Sequence, residues 1–167
     1  MDTLTKNGIT PIPSENCLHE LKYIEDQDLN KFLCIGLLLN QKPVYLLNID
    51  STKLTDEKVK NILTKFNSHK SLLFFNSIIK LKEFSLLFCY EYTNWTLINY
   101  LYFIDQNPNN INNCLPIRLF LYKQFLELIY YFDTAKISFD YFNPKLFFIV
   151  DGIEPVLKLL YHSKFKI

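Results

Sequence analysis

Glycine is scarce in this chain, 3 residues in 167. A backbone that wraps closely round phosphate groups needs glycines at short intervals, so a glycine-rich phosphate cradle is argued against from the outset. No charge of one sign dominates: the formal net charge is +1. That argues against binding nucleic acid or an anionic membrane through a broad basic field. The N-terminal stretch MDTLTKNGITPIPSEN has no apolar core of the kind a secretory signal carries. The longest nearly uncharged run, 84–104, is broken by Glu91 and by Thr93-Asn94, which argues against a membrane span. Cys17, Cys34, Cys89 and Cys114 lie far apart without a C-x-x-C pair, and two of them fall inside apolar runs. They read as buried, reduced thiols of an intracellular protein rather than as a disulfide framework. His19, His69 and His162 share no spacing with one another or with cysteines and carboxylates that would hold zinc, and no Cys–His pair suggests a nucleophile. No metal and no cofactor is expected.

What is present is apolar and aromatic: 49% of the chain is hydrophobic, with 15 Phe and 11 Tyr. A chain of 167 residues can bury one core or build two small lobes. Residues 1–16, with Pro11 and Pro13, read as a flexible arm. The stretch 15–28 allows a short strand or helix around Leu18, Leu21 and Ile24. Phe32 to Leu39 and Val44 to Ile49 are apolar runs of strand length, and the polar turn Asn40-Gln41-Lys42-Pro43 between them makes a hairpin. Val59, Ile62, Leu63 and Phe66 form one stripe of an amphipathic helix over 56–66. Leu72 to Lys80 and Phe84 to Tyr90 read as further strands, completing a mostly antiparallel sheet of about five.

Beyond Tyr92, Thr93 or Asn94 is expected to cap a short helix whose apolar face is Leu97, Ile98, Leu101 and Tyr102. The asparagine-rich 105–113 reads as a solvated loop. Leu115-Pro116 opens the longest helix, to Thr134, with Leu119, Tyr122, Phe125, Leu126, Ile129 and Tyr130 on its apolar face. Asp140 and Asn143-Pro144 occupy a loop. Leu146 to Val150 and Val156 to Leu160 then read as a hairpin closed at Asp151-Gly152, where glycine supplies positive φ.

Helix, acidic loop, hairpin and polar tripeptide in this order and spacing resemble the catalytic region of protein kinases. In that family the loop runs His-Arg-Asp with an Asn five residues beyond, and the hairpin ends at Asp-Phe-Gly. Here the corresponding residues are Ser138-Phe139-Asp140, Lys145, and Tyr161-His162-Ser163. The resemblance covers about 32–165. It implies an α+β fold: a small-lobe-like antiparallel sheet with one helix over 17–91, then a truncated, mainly helical large-lobe-like part over 92–167 ending in the hairpin. It also implies that Leu47 stands at the phosphate-binding lysine and Val59 at the glutamate that pairs with it, that Tyr90 is the gatekeeper, and that Glu91-Tyr92 begin the hinge.

Phosphoryl transfer needs a phosphate lysine, metal ligands and a base near the acceptor. Of those positions only Asp140 keeps its residue type. Leu47 and Val59 replace both halves of an ion pair with side chains that pack together, and Lys145 and Tyr161 stand where metal ligands belong. Gly36 reads as a bulge or close contact rather than a nucleotide loop. The expectation is therefore a catalytically inactive, kinase-like module: no enzyme, no cofactor, cytoplasmic, within a cytoskeletal or other large complex, with protein partners bound through apolar and aromatic surface. Truncation would leave an apolar helix face in need of such a partner. The alternative is a divergent kinase or nucleotide sensor that holds ATP with Asp140 and Lys145, its adenine at Tyr90, Glu91 and Tyr92. A third reading is an unrelated α+β domain with a chance match.

Overall fold

A computed structural model describes residues 10–24, 33–50, 55, 57, 69–82, 85–107, 111–139, 143–152, 154–160 and 165–166. The fold is α+β, and the chain divides into two compact units, Met1–Asn67 with Phe74–Tyr92 and Ser68–Leu73 with Thr93–Ile167.

The first unit is built on strands β1 (Ile12–Pro13), β2 (Leu18–Tyr23), β3 (Leu33–Leu38), β4 (Pro43–Asp50), β5 (Phe75–Lys82) and β6 (Ser85–Glu91). They form a 6-stranded sheet in the order β1-β5-β6-β4-β3-β2, antiparallel except for β1 against β5. The sixth strand corrects the reading of residues up to 16 as an arm alone. Proline is excluded from central strands but tolerated at an edge, and Pro13 sits at one. The two outermost strands are neighbours in sequence, joined only by 14–17, so the sheet curls to bring its edges together. Inside the curl, Val44, Leu46, Ile79, Leu87 and Cys89 form a buried cluster, with Cys17, Leu18, Cys34, Leu38 and Leu81 packed on it. The opposite face of β4 and β6 is buried too, through Tyr45, Leu47, Ile49, Leu86, Phe88 and Tyr90. Burial on both faces explains why these strands read as continuous apolar runs rather than alternating ones.

The β3–β4 turn falls where the polar tetrapeptide placed it. Leu38 N–H donates to the Lys42 carbonyl (3.0 Å) and Gln41 N–H to the Leu38 carbonyl (2.9 Å). Gln41 takes the left-handed φ of 64°, unusual for a residue with a Cβ. The helix expected over 56–66 lies outside the described residues, save for Glu57, which is exposed.

The second unit contains β7 (Trp95–Thr96), α1 (Leu97–Gln106), α2 (Ile111–Thr134), β8 (Ser138–Phe139), β9 (Phe147–Val150), β10 (Val156–Leu159) and β11 (Phe165–Lys166). Its sheets are β10-β9-β7 and the pair β11-β8. Ser71 to Leu73 belongs here rather than to β5, which corrects the strand expected from Leu72. Leu73 N–H donates to the Leu159 carbonyl (2.9 Å) and Leu159 N–H to the Ser71 carbonyl (2.8 Å). The apolar run continues through the change of partner, so its hydrophobicity gave no sign of the break.

The helices depart from expectation in phase. Because Trp95–Thr96 pairs with β9, α1 begins late, and its cap is Thr96, whose Oγ1 accepts the Asn99 N–H (3.2 Å), not Thr93 or Asn94. Its buried residues are Tyr100 and Ile104, while Ile98 and Tyr102 are exposed. Helix α2 starts at Ile111, inside the expected polar loop, and carries Pro116 in its interior. Its buried positions are Leu121, Gln124, Leu128 and Phe132; the face expected to be buried, Leu119, Tyr122, Leu126, Ile129 and Tyr130, is exposed. The helix is apolar on two adjacent stripes, and periodicity alone does not choose between them.

Candidate functional site

The residues that the kinase resemblance singles out are described only in part. Asp140, Val59, Tyr161 and the rest of the tripeptide lie outside the described residues. Leu47, Tyr90, Glu91, Tyr92 and Lys145 lie within them.

Leu47 is 2% exposed in the middle of β4, paired across the sheet with Leu33 on one side and Phe88 on the other. A cation at this position would sit among apolar side chains without a water contact, at a cost of several kcal/mol unless paired. The neighbouring Asn48 is exposed, and strand alternation turns it to the other face of the sheet. Gly36 faces the interior of the curl. A Cβ there would lie 2.4 Å from Leu46 Cδ1 and 3.0 Å from Leu18 Cδ1. Its missing side chain therefore makes room for Leu46, a packing reason sufficient in itself.

Tyr90 is buried, opposite Tyr45 on β4 and Phe75 on β5. Its ring meets Phe75 edge-on at 5.6 Å; Phe75 meets Phe88 at 5.5 Å, and Tyr45 meets Tyr92 at 5.0 Å. Aromatic side chains thus occupy this face of the sheet. Glu91 is committed to structure: its Oε1 accepts the Phe74 N–H (2.9 Å), while its own N–H donates to the Phe74 carbonyl (3.0 Å).

Lys145 sits in the second unit, in a short 3-10 turn Pro144–Leu146. Asn143 Oδ1 caps that turn by accepting the Lys145 N–H (3.0 Å), and Leu160 N–H closes onto the Leu146 carbonyl (3.0 Å). The side chain of Lys145 is half-buried. The hairpin that follows differs from the tight turn expected. Val150 pairs with Val156, so the loop is 151–155, and Gly152 does not take a positive φ. Asp151 Oδ1 accepts the Gly152 N–H (3.0 Å).

Two residues that sequence reasoning passed over organise the second unit. Gln124 is buried on α2 and holds the hairpin from both sides of its amide. Nε2 donates to the Pro155 carbonyl (2.8 Å) and Oε1 accepts the Leu157 N–H (3.0 Å). The signal was a polar residue interrupting the stripe Leu121, Leu128, Phe132. His69 stacks on Tyr131 (4.7 Å), and its Nδ1 accepts the Ser71 N–H (3.1 Å). Burial and the adjacent Lys70 push its pKa down, with Lys158 adding to the effect and Glu127 opposing it. Glu127 bridges to Lys70 (3.0 Å), which lowers its own pKa.

A recess of about 300 Å³ within this unit is lined by Leu97, Leu101, Arg118, Tyr122, Phe125 and Phe147. Its walls are apolar, and Arg118 is ion-paired with Asp105. Among the described residues no group of His, Cys, Asp or Glu could hold a metal ion, and no helix is long and apolar enough to cross a membrane. Cys17, Cys34 and Cys89 are free thiols, and burial raises the pKa of each. No protein-family model matches the chain, and no curated protein matches it.

Proposed function

We propose that this chain is a degenerate protein kinase-like domain that does not transfer phosphate, and that it works as a protein-interaction or structural module within a larger intracellular assembly. The observation that carries this reading is Leu47. At the position where the resemblance requires a lysine, the side chain is sealed between Leu33 and Phe88, where no charge can reach a phosphate. The aromatic cluster round Tyr90 supports the same conclusion, because the face that would accept an adenine is occupied by rings of the chain itself. The kinase-like part of the reading is supported by order: a sheet, the segment 92–94, a short helix, a long helix, a turn holding Lys145 and a hairpin follow one another as the resemblance needs. The interaction part is supported by large apolar side chains left in solvent on both helices, among them Tyr102, Leu119, Tyr122 and Leu126. Partners are therefore proteins, and no nucleotide is needed.

The test is transfer of the terminal phosphate from radiolabelled ATP, with magnesium or manganese, to the chain itself and to general acceptor proteins. No label above that of an Asp140→Asn control is expected. Incorporation that the control abolishes would overturn the proposal.

A further inference from the structure

Helix α2 spans 24 residues, about 36 Å of helix axis. Along it Leu115, Leu119, Tyr122, Leu126 and Ile129 are 64%, 58%, 59%, 48% and 40% exposed. Their spacing alternates four and three residues, the seam that two helices need to pack side by side with knobs in holes. A lone solvent-facing helix gains nothing from this pattern, since each of these side chains costs hydration free energy where it stands. The seam is flanked unevenly. Arg118 and Lys123 border its first half, and Glu127 and Asp133 its second.

We propose that this face docks on the same face of a second copy of the chain, α2 against α2, antiparallel about a two-fold axis near Tyr122 and Leu126. In that arrangement Leu119 meets Ile129 of the other copy and Tyr122 meets Leu126. The basic half of each helix lies against the acidic half of the other, Lys123 near Glu127 and Arg118 near Asp133. A parallel pair would instead bring Arg118 beside Lys123. Arg118 and Glu127 already pair within the chain with Asp105 and Lys70. These pairs are exposed and contribute little, so exchanging them costs little. An isologous surface of this kind closes on itself after one copy is added. The inference rests on the interaction module proposed above and names its partner.

Sedimentation velocity on the full chain tests it. A dimer that dissociates on dilution is expected at about 100 µM. Leu119→Glu with Leu126→Glu should abolish the dimer, weakening it by roughly 100-fold or more, with far-UV circular dichroism unchanged because both positions are exposed. If that pair of changes prevents folding, Leu126→Lys alone gives the same reading. Lys123→Glu should weaken the dimer, whereas a parallel alignment would make it tighter. A monomer at every concentration overturns the proposal and leaves the face to a different protein. So does a dimer indifferent to the Leu119 and Leu126 changes, or one tightened by Lys123→Glu. A dimer that nevertheless transfers phosphate would defeat the inactive-module reading while leaving this one standing.

Discussion

Gly36 shows how a single residue supports two quite different accounts. In a nucleotide loop it would let the backbone approach phosphate; here its absent Cβ leaves the space filled by Leu46, whose Cδ1 would lie 2.4 Å away. Gly36→Ala should therefore destabilise by about 1–3 kcal/mol, the usual effect of overfilling a core, read as a lower urea midpoint with unchanged m-value. A fully stable variant would show that Leu46 can move aside and that packing is not what keeps glycine there. His69 makes a second prediction. Its neutral ring accepts the Ser71 N–H, and its folded-state pKa lies below the model value of 6.5. Below about 6.5 the unfolded chain takes up the proton first. Stability should then be fully present above that pH and fall as the pH drops from there through the lower folded-state pKa. Glu127, also held low, adds its loss in a more acidic window, below the model value of 4.5. His69→Phe keeps a ring against Tyr131 and should flatten the slope between these two regions in denaturation measured across pH. An unchanged slope would remove His69 from the account.

At the level of elements, strands were legible and helix faces were not. The turn at 40–43 carried its own chemistry, and the runs on either side became β3 and β4 within a residue or so at each end. The end of α1's capping region and the start of α2 were misplaced because both depend on distant partners: β9 captures Trp95–Thr96, and helix continues through asparagines that composition assigned to a loop. The phase of α2 failed for a clearer reason. Polarity placed Gln124 outward, yet its amide satisfies the Pro155 carbonyl and the Leu157 N–H and so can be buried. That choice rotates the helix toward Leu121 and Leu128. Leu121→Ala should cost about 2–5 kcal/mol, as deletions in a core do, while Leu119→Ala should stay within about 0.5 kcal/mol, as exposed changes do. Thermal or urea melts of the two variants decide it. Equal effects would contradict the burial of one face over the other.

For the whole molecule, the sequence conveyed the α+β class and the order of sheet, helices and hairpin, because each follows from local periodicity and turn chemistry. It did not convey that 68–73 leaves the strand run for the second unit, since pairing with β10 is decided by the fold and not by residue type. The candidate site was legible as a set of substitutions: Leu47, Tyr90 and Glu91 are where the residues give reasons for them to be, buried, stacked and hydrogen-bonded. The reading as a kinase-like frame emptied of phosphate chemistry is tested most directly by melting the chain with 1 mM-range ATP, with and without magnesium. A ligand at about a hundredfold its Kd adds ~2.7 kcal/mol to the folded state, which for a chain of this size raises Tm by roughly 5–10 °C. The expected result is a Tm unmoved by ATP under either condition; a magnesium-dependent rise of that size would contradict the account.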